Sequence, residues 1–171
     1  MRYAEKALVG EAFVGEGPNA AHVNTVLGRK GGPVETAWAT ALATPRQGHV
    51  SFVVALQPSL AVKPLTLFVN KADIRGDRHA ALTWGAAQAG VARGVVAAAA
   101  EGVVPRGEVD DLLLIAAVWV GWEADDEAAV FEWNAEATRQ ALANGEAGRP
   151  ALEDLLAAAD EPWNAFFRAP Q

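Results

Sequence analysis

The chain contains no cysteine, one methionine, one tyrosine and three histidines in 171 residues. Without cysteine, disulfides and thiolate metal sites are excluded, and a reducing compartment is compatible with the composition. Basic residues are also few: 14 Lys and Arg stand against 21 Asp and Glu, for a formal charge of −7. Phosphate backbones are bound by clustered Lys and Arg, so no nucleic-acid partner is expected. Long hydrophobic runs are missing as well. The longest uncharged apolar stretch, residues 112–122, falls short of the roughly 20 residues that span a bilayer as a helix. The opening Met1-Arg2-Tyr3-Ala4-Glu5-Lys6 has no apolar segment behind a basic start, so neither a signal peptide nor a membrane partner is expected. The expectation is a soluble, cytoplasmic protein.

Apolar residues are abundant, at 51%, with six tryptophans among them. That surplus points to a buried subunit interface. The length fits a single domain, residues 1–171, with 145–171 set apart as a C-terminal tail. Apolar patterning predicts strands over residues 7–14 and 20–27, joined by the turn-forming Gly15-Glu16-Gly17-Pro18-Asn19. Pro33 suits the first turn of a helix that continues over 34–43, and Pro45 ends it. Strands follow over 49–56 and 65–72, then an Ala-rich helix over 76–101 and a buried strand over 111–119. The acids Asp125-Asp126-Glu127 open a helix that runs to Asn144, with Gly145 as its stop. A short amphipathic helix over 151–159 precedes the apolar end Pro162-Trp163-Asn164-Ala165-Phe166-Phe167. That end is expected to dock on the body or on a neighbouring subunit. The order β-β-α-β-β-α-β-α is that of an α/β sandwich, a mainly antiparallel sheet covered by helices.

Familiar catalytic motifs fail. Gly15-Glu16-Gly17-Pro18-Asn19-Ala20 has the form of a dinucleotide fingerprint, but a strand follows it where a helix N-terminus would have to hold pyrophosphate. There is no Walker loop, His-Glu-x-x-His or Gly-x-Ser-x-Gly. His22, His49 and His79 are too scattered for a metal site to be read from spacing, and no metal is expected. What remains is His22 and Asn24 on one face of a strand, Lys71 and Asp73 at a strand end, and Gln88 on a helix. Histidine titrates near neutrality and can hold and deliver a proton, so His22 is the leading candidate for chemistry.

Several segments resemble the formaldehyde-activating enzyme family. They are Val9-Gly10-Glu11-Ala12-Phe13-Val14-Gly15, Ala21-His22, Gly31-Gly32-Pro33-Val34-Glu35-Thr36-Ala37 and Gly48-His49-Val50-Ser51. Lys63-Pro64-Leu65-Thr66-Leu67, Asn70-Lys71, Gly85-Ala86-Ala87-Gln88, Asp110-Asp111-Leu112, Trp122-Glu123-Ala124 and Asn134-Ala135-Glu136-Ala137-Thr138 continue the match in order. The resemblance implies a ribosomal protein S5 domain 2-like fold and a homopentamer with pterin bound between subunits. It implies condensation of formaldehyde with tetrahydromethanopterin, here a one-carbon acceptor, to methylene-tetrahydromethanopterin and water. His22 matches the family's proton donor. Asn24, Val53, Lys71, Asp73 and Gln88 match its pterin-contacting positions.

Three of these positions depart from the family pattern. Val53 replaces a usual Leu, a mild change. Asn24 stands where Asp is usual, and an amide can neither act as a base nor hold His22 protonated by charge. Asp73 stands where Thr is usual, and i, i+2 spacing in a strand would set it on the face of Lys71. One account is compensation, the carboxylate having moved from position 24 to position 73. The alternative is a pterin- or formaldehyde-binding paralogue without catalysis, or a subunit that only co-assembles with an active homologue. Ala61-Val62 replaces a usual Pro-Cys, and the tail beyond Asn144 supports no transfer.

Overall fold

The first two strands form a hairpin whose register fixes the later chemistry. β1 (Leu8–Val14) and β2 (Ala21–Arg29) pair antiparallel, with Phe13 opposite His22 and Glu11 opposite Asn24. Their connection holds a 3-10 turn, Gly17–Asn19, opened by Pro18. The computed structural model describes residues 6–164 and 166–168. α1 (Pro33–Ala43) starts on its proline, whose missing N–H needs no partner there. The chain continues through β3 (Phe52–Val53), β4 (Ala55–Gln57), β5 (Leu60–Ala61) and β6 (Leu65–Asn70). α2 (Gly76–Ala81), a π-helical stretch (Leu82–Ala87) and α3 (Gln88–Ala100) then lead to β7 (Leu112–Trp119). α4 (Glu127–Ala147), α5 (Leu152–Ala158) and the small hairpin β8 (Trp163–Asn164) and β9 (Phe167–Arg168) complete it.

The main sheet has the order β1-β2-β7-β6-β3, parallel only between β6 and β7. This is an α+β fold with a mixed, mostly antiparallel sheet. One face is sealed by α3 and α4. Ala12, Val23, Leu27, Phe68, Leu114, Ala116 and Val118 project from it into the core with Val91, Val95, Ala137 and Ala141 of the helices. Each fully buried Val, Leu or Phe contributes about 1.5–3 kcal/mol relative to exposure. α4 lies so close to β1 that a Cβ on Gly10 would fall 1.8 Å from the Ala141 carbonyl oxygen. Any larger residue at position 10 would push the helix off the sheet.

The helices cover the sheet less evenly than expected. α1 covers the other face only at one end, where Val34 packs on Gly28. At the opposite end Val9 and Glu11 are exposed and His22, Asn24 and Val26 half-buried. The strand expected over residues 49–56 is broken in two. The Gln88 side chain accepts a hydrogen bond from the Ala55 backbone at 2.8 Å. Beyond that point the chain leaves the main sheet, and β4 pairs with β5. Gly145 is not the end of α4 either. It sits inside the helix against the Gly10 and Val9 backbone, and the helix closes at Gly148, whose φ of 66° is in the left-handed region. The helix expected over 76–101 is real but includes the π-helical stretch, which periodicity does not reveal.

Candidate active site

Alternation along β2 places Val23, Thr25 and Leu27 in the core and leaves His22 and Asn24 half-buried on the face away from the helices. Register then adds neighbours on both sides. β1 contributes Glu11 and Phe13, and β7 contributes Trp119 opposite His22. Lys71 follows the last residue of β6, its backbone N–H donating to the Val118 carbonyl at 2.7 Å, which brings its side chain to the same face. These groups line a cavity of about 510 Å³ closed by Trp163, Asn164 and Phe166 of the C-terminal hairpin, a volume in the range of small-molecule sites. The hairpin rests on the site through aromatic edges. Trp163 meets Phe13 at 6.2 Å and Phe166 meets Trp119 at 5.7 Å between ring centroids. The apolar tail therefore docks on the body of its own chain.

Two polar contacts organise the cavity. His22 Nε2 lies 2.9 Å from Glu11 Oε1. Lys71 Nζ donates to Asn24 Oδ1 at 2.7 Å. Burial, and then the neighbouring Lys71 ammonium, hold the His22 imidazole below its ordinary value, while Glu11 opposes both through its charge and its hydrogen bond. Burial brings the Lys71 amine down to about 8, with Glu11 pulling weakly the other way. The cavity thus holds two bases that lose protons more readily than in water, beside one carboxylate. An imidazole, an amine and a carboxylate within a half-enclosed apolar pocket can carry proton transfer to and from a small electrophile.

The other three expected residues lie elsewhere in the chain. Val53 pairs with Leu67 at the far side of the sheet. Gln88 holds the Ala55 backbone where the sheet strand breaks. Asp73 does not share a strand face with Lys71, because β6 ends at Asn70. Its carboxylate lies 2.6 Å from His49 Nε2, and His49 Nδ1 faces the Asn70 carbonyl oxygen at 2.9 Å. Arg75, an obvious surface partner for Asp73, is instead stacked 3.4 Å over the Trp122 ring. Within one chain, therefore, the carboxylate beside His22 is Glu11 and not Asp73. Glu11 escaped the sequence reading although a signal was there: a charge in an apolar strand, two residues from Phe13, across a hairpin whose turn sets the register. Among the described residues no cluster of three or more His, Cys, Asp or Glu could hold a metal, and no helix is long and apolar enough to cross a membrane.

Residues 9–167 match the formaldehyde-activating enzyme (Fae) family. The chain belongs to this family. It is 44% identical over 161 residues to the 5,6,7,8-tetrahydromethanopterin hydro-lyase of Methanosarcina barkeri, across 94% of this chain and 90% of that protein. It is 36% identical over 160 residues to the bifunctional enzyme Fae/Hps of Methanococcoides burtonii, across 94% of this chain and 40% of that protein. The corresponding protein of Methanosarcina mazei is 34% identical over 159 residues, with 41% of its length covered. The chain thus spans about two fifths of these bifunctional relatives and nearly all of the hydro-lyase. In this member of the formaldehyde-activating enzyme family, the half-buried cavity on the uncovered end of the sheet is the candidate active site.

Proposed function

We propose that this chain is a lyase that condenses formaldehyde with tetrahydromethanopterin, giving methylene-tetrahydromethanopterin and water. The supporting observation is the convergence of His22, Glu11 and Lys71 in one cavity of a chain that matches a named hydro-lyase over nearly its full length. One pterin amine adds to formaldehyde to form a carbinolamine. Hydroxide is a poor leaving group, so the departing oxygen needs a proton as its bond to carbon breaks. His22 is the donor. Glu11 occupies Nε2 and orients the ring, while Nδ1 has no hydrogen-bond partner among the described residues and is the nitrogen left to carry the transferable proton. General acid catalysis of this kind contributes about 10²–10⁴-fold. Binding both reactants in one pocket adds the advantage of proximity.

The wider setting belongs to the same proposal. The protein is a soluble, cytoplasmic homo-oligomer, a pentamer, with a ribosomal protein S5 domain 2-like fold. The parallel β6–β7 crossover beside an antiparallel hairpin is consistent with that fold. A second copy covers the open end of the sheet, where Val9 is 63% exposed, and Val53, Asp73 and Gln88 reach the pterin from that copy. The binding-only alternative keeps one specific support, the neutral Asn24 where a carboxylate is usual.

The experiment mixes formaldehyde with the reduced pterin, which condense slowly unaided, and compares wild type with His22→Ala. Acceleration by wild type and its loss in the variant is the expected result. A folded wild type that binds pterin without acceleration would establish the binding-only alternative. Equal acceleration by both proteins would remove His22 from the chemistry.

A further inference from the structure

We propose that Lys71 captures formaldehyde covalently, its Nζ becoming the first amine to bond the one-carbon unit before the pterin receives it. The proposal rests on the net reaction proposed above and puts Lys71 in place of the pterin amine in the first addition to formaldehyde. Three observations carry it. Of the four lysines in the chain, Lys6, Lys30 and Lys63 are exposed, whereas Lys71 is half-buried beneath aromatic walls. Its Nζ donates to a neutral amide oxygen, that of Asn24, while the cavity's carboxylate, Glu11, lies against His22 and raises the Lys71 pKa by less than burial lowers it. Its cavity also contains His22, which can protonate a leaving hydroxyl. The amine, brought down to about 8 by burial, is neutral in about a tenth of molecules at pH 7, against fewer than about one in a thousand for an ordinary lysine. A desolvated lysine is a nucleophile toward carbonyl carbon.

The step balances without any further reactant. The Nζ lone pair bonds the formaldehyde carbon as the C=O π pair moves to oxygen. A proton passes from nitrogen to that oxygen, giving the carbinolamine. His22 protonates the hydroxyl, the C–O bond breaks, water leaves, and the nitrogen lone pair forms the iminium. The pterin's first amine bonds the iminium carbon and gives its proton to His22. The C–Nζ bond then breaks as His22 returns that proton to the departing amine. The pterin's second amine closes the ring and releases the last proton. The sum is formaldehyde plus pterin going to the methylene product plus water, with Lys71 regenerated and the proton first spent by His22 returned.

The test uses the intact protein at pH 7, isotopically labelled formaldehyde and limiting cyanoborohydride, with the methyl groups mapped by peptide mass spectrometry. Lys71 is expected to take label on the order of a hundredfold faster than Lys6, from the difference in neutral fraction. Asn24→Asp, which sets a carboxylate against Nζ, is expected to remove that preference while leaving Lys6 unchanged. Reduced pterin added before the hydride donor is expected to clear the label from Lys71 and carry it into the methylene product. Labelling of Lys71 no faster than Lys6, or label that stays on Lys71 when pterin is added, would overturn the capture step. If condensation is still accelerated in that case, the lyase function stands and only the covalent step is lost. A folded, pterin-binding chain that accelerates nothing would overturn both.

Discussion

Two histidine–carboxylate pairs sit in this molecule, and their surroundings give them different work. His49 has both ring nitrogens engaged, Nε2 with Asp73 and Nδ1 with the Asn70 carbonyl oxygen. Asn70 is itself tied to the Gly48 and Ala72 carbonyls, at 2.7 and 2.8 Å. The group pins the loop before β3 to the end of β6. His22 has one nitrogen on Glu11 and shares its pocket with an amine and an aromatic roof. The third histidine shows the fully satisfied extreme. Buried His79 accepts from the Arg75 N–H on Nδ1 and donates from Nε2 to the Val120 carbonyl. The residue type is constant, and the number of free nitrogens separates fastener from acid.

His22→Ala and His49→Ala should break that comparison most sharply. The first is expected to lower the condensation rate about 10²–10⁴-fold with pterin binding retained. The second should weaken the fold and lower the rate of the folded protein far less than the first, since His49 touches no group lining the cavity of its own chain and bears on the pterin of a neighbouring copy only through Asp73. Stopped-flow rates beside urea melts separate the two, and comparable rate losses would end the distinction.

Glu11→Gln and Asp73→Asn come next. Glu11 favours the charged imidazolium, so removing its charge drops the His22 pKa further. The acid form is then lost at lower pH, and the rate at pH 7 should fall. The falling limb of the pH–rate profile should move toward acid. Asp73→Asn should leave that limb in place, and a matching shift would put Asp73 in contact with the proton donor.

Lys71 has no counterpart in the His49 region, and Lys71→Met should raise stability while damaging function. Below about pH 8 the folded and unfolded chains both hold the proton, and the folded state bears the full cost of a half-buried ammonium. Between that value and the ordinary one near 10.5 the unfolded chain binds more protons, so stability climbs with pH and the cost disappears above it. The variant should gain on the order of 1 kcal/mol at pH 7, after discounting for solvent screening, and nothing near pH 11. A flat difference across that range would show that the gain comes from packing.

The smallest effect concerns independence. Asn24→Asp and Asp73→Thr should combine additively in the rate constant, within about 0.5 kcal/mol, because the two side chains belong to separate clusters. Coupling beyond about 1 kcal/mol would bring Asp73 of a neighbouring copy into the His22 cavity and revive the idea of a relocated carboxylate.

Much of this architecture was legible because period-two and helical patterns are local. The hairpin, β6, β7 and α4 follow from alternation, turn residues and acids at a helix start. What escaped depends on partners distant in sequence. Residues 49–56 look like one strand, and only the Gln88 side chain arriving at Ala55 shows why they divide. Gly145 looks like a helix stop because nothing local reveals that β1 crosses it. His22, Asn24 and Lys71, the candidates on or beside strand ends, do line one cavity. The i, i+2 spacing of Lys71 and Asp73 implies a shared face only in a strand, and β6 ends at Asn70. Glu11 joins the site only through the hairpin register, which sets it opposite Asn24.

The alternation of β2 has a consequence for how this site can change over time. Val23, Thr25 and Leu27 are sealed in the core, and His22 and Asn24 stand between them on the working face. An inserted or deleted residue anywhere in the strand would drive an imidazole and an amide into the helices and turn the core residues toward the cavity. The reactive groups therefore cannot slide along the strand by small steps. They can be exchanged only in place, while the hydrophobic core keeps their positions in frame.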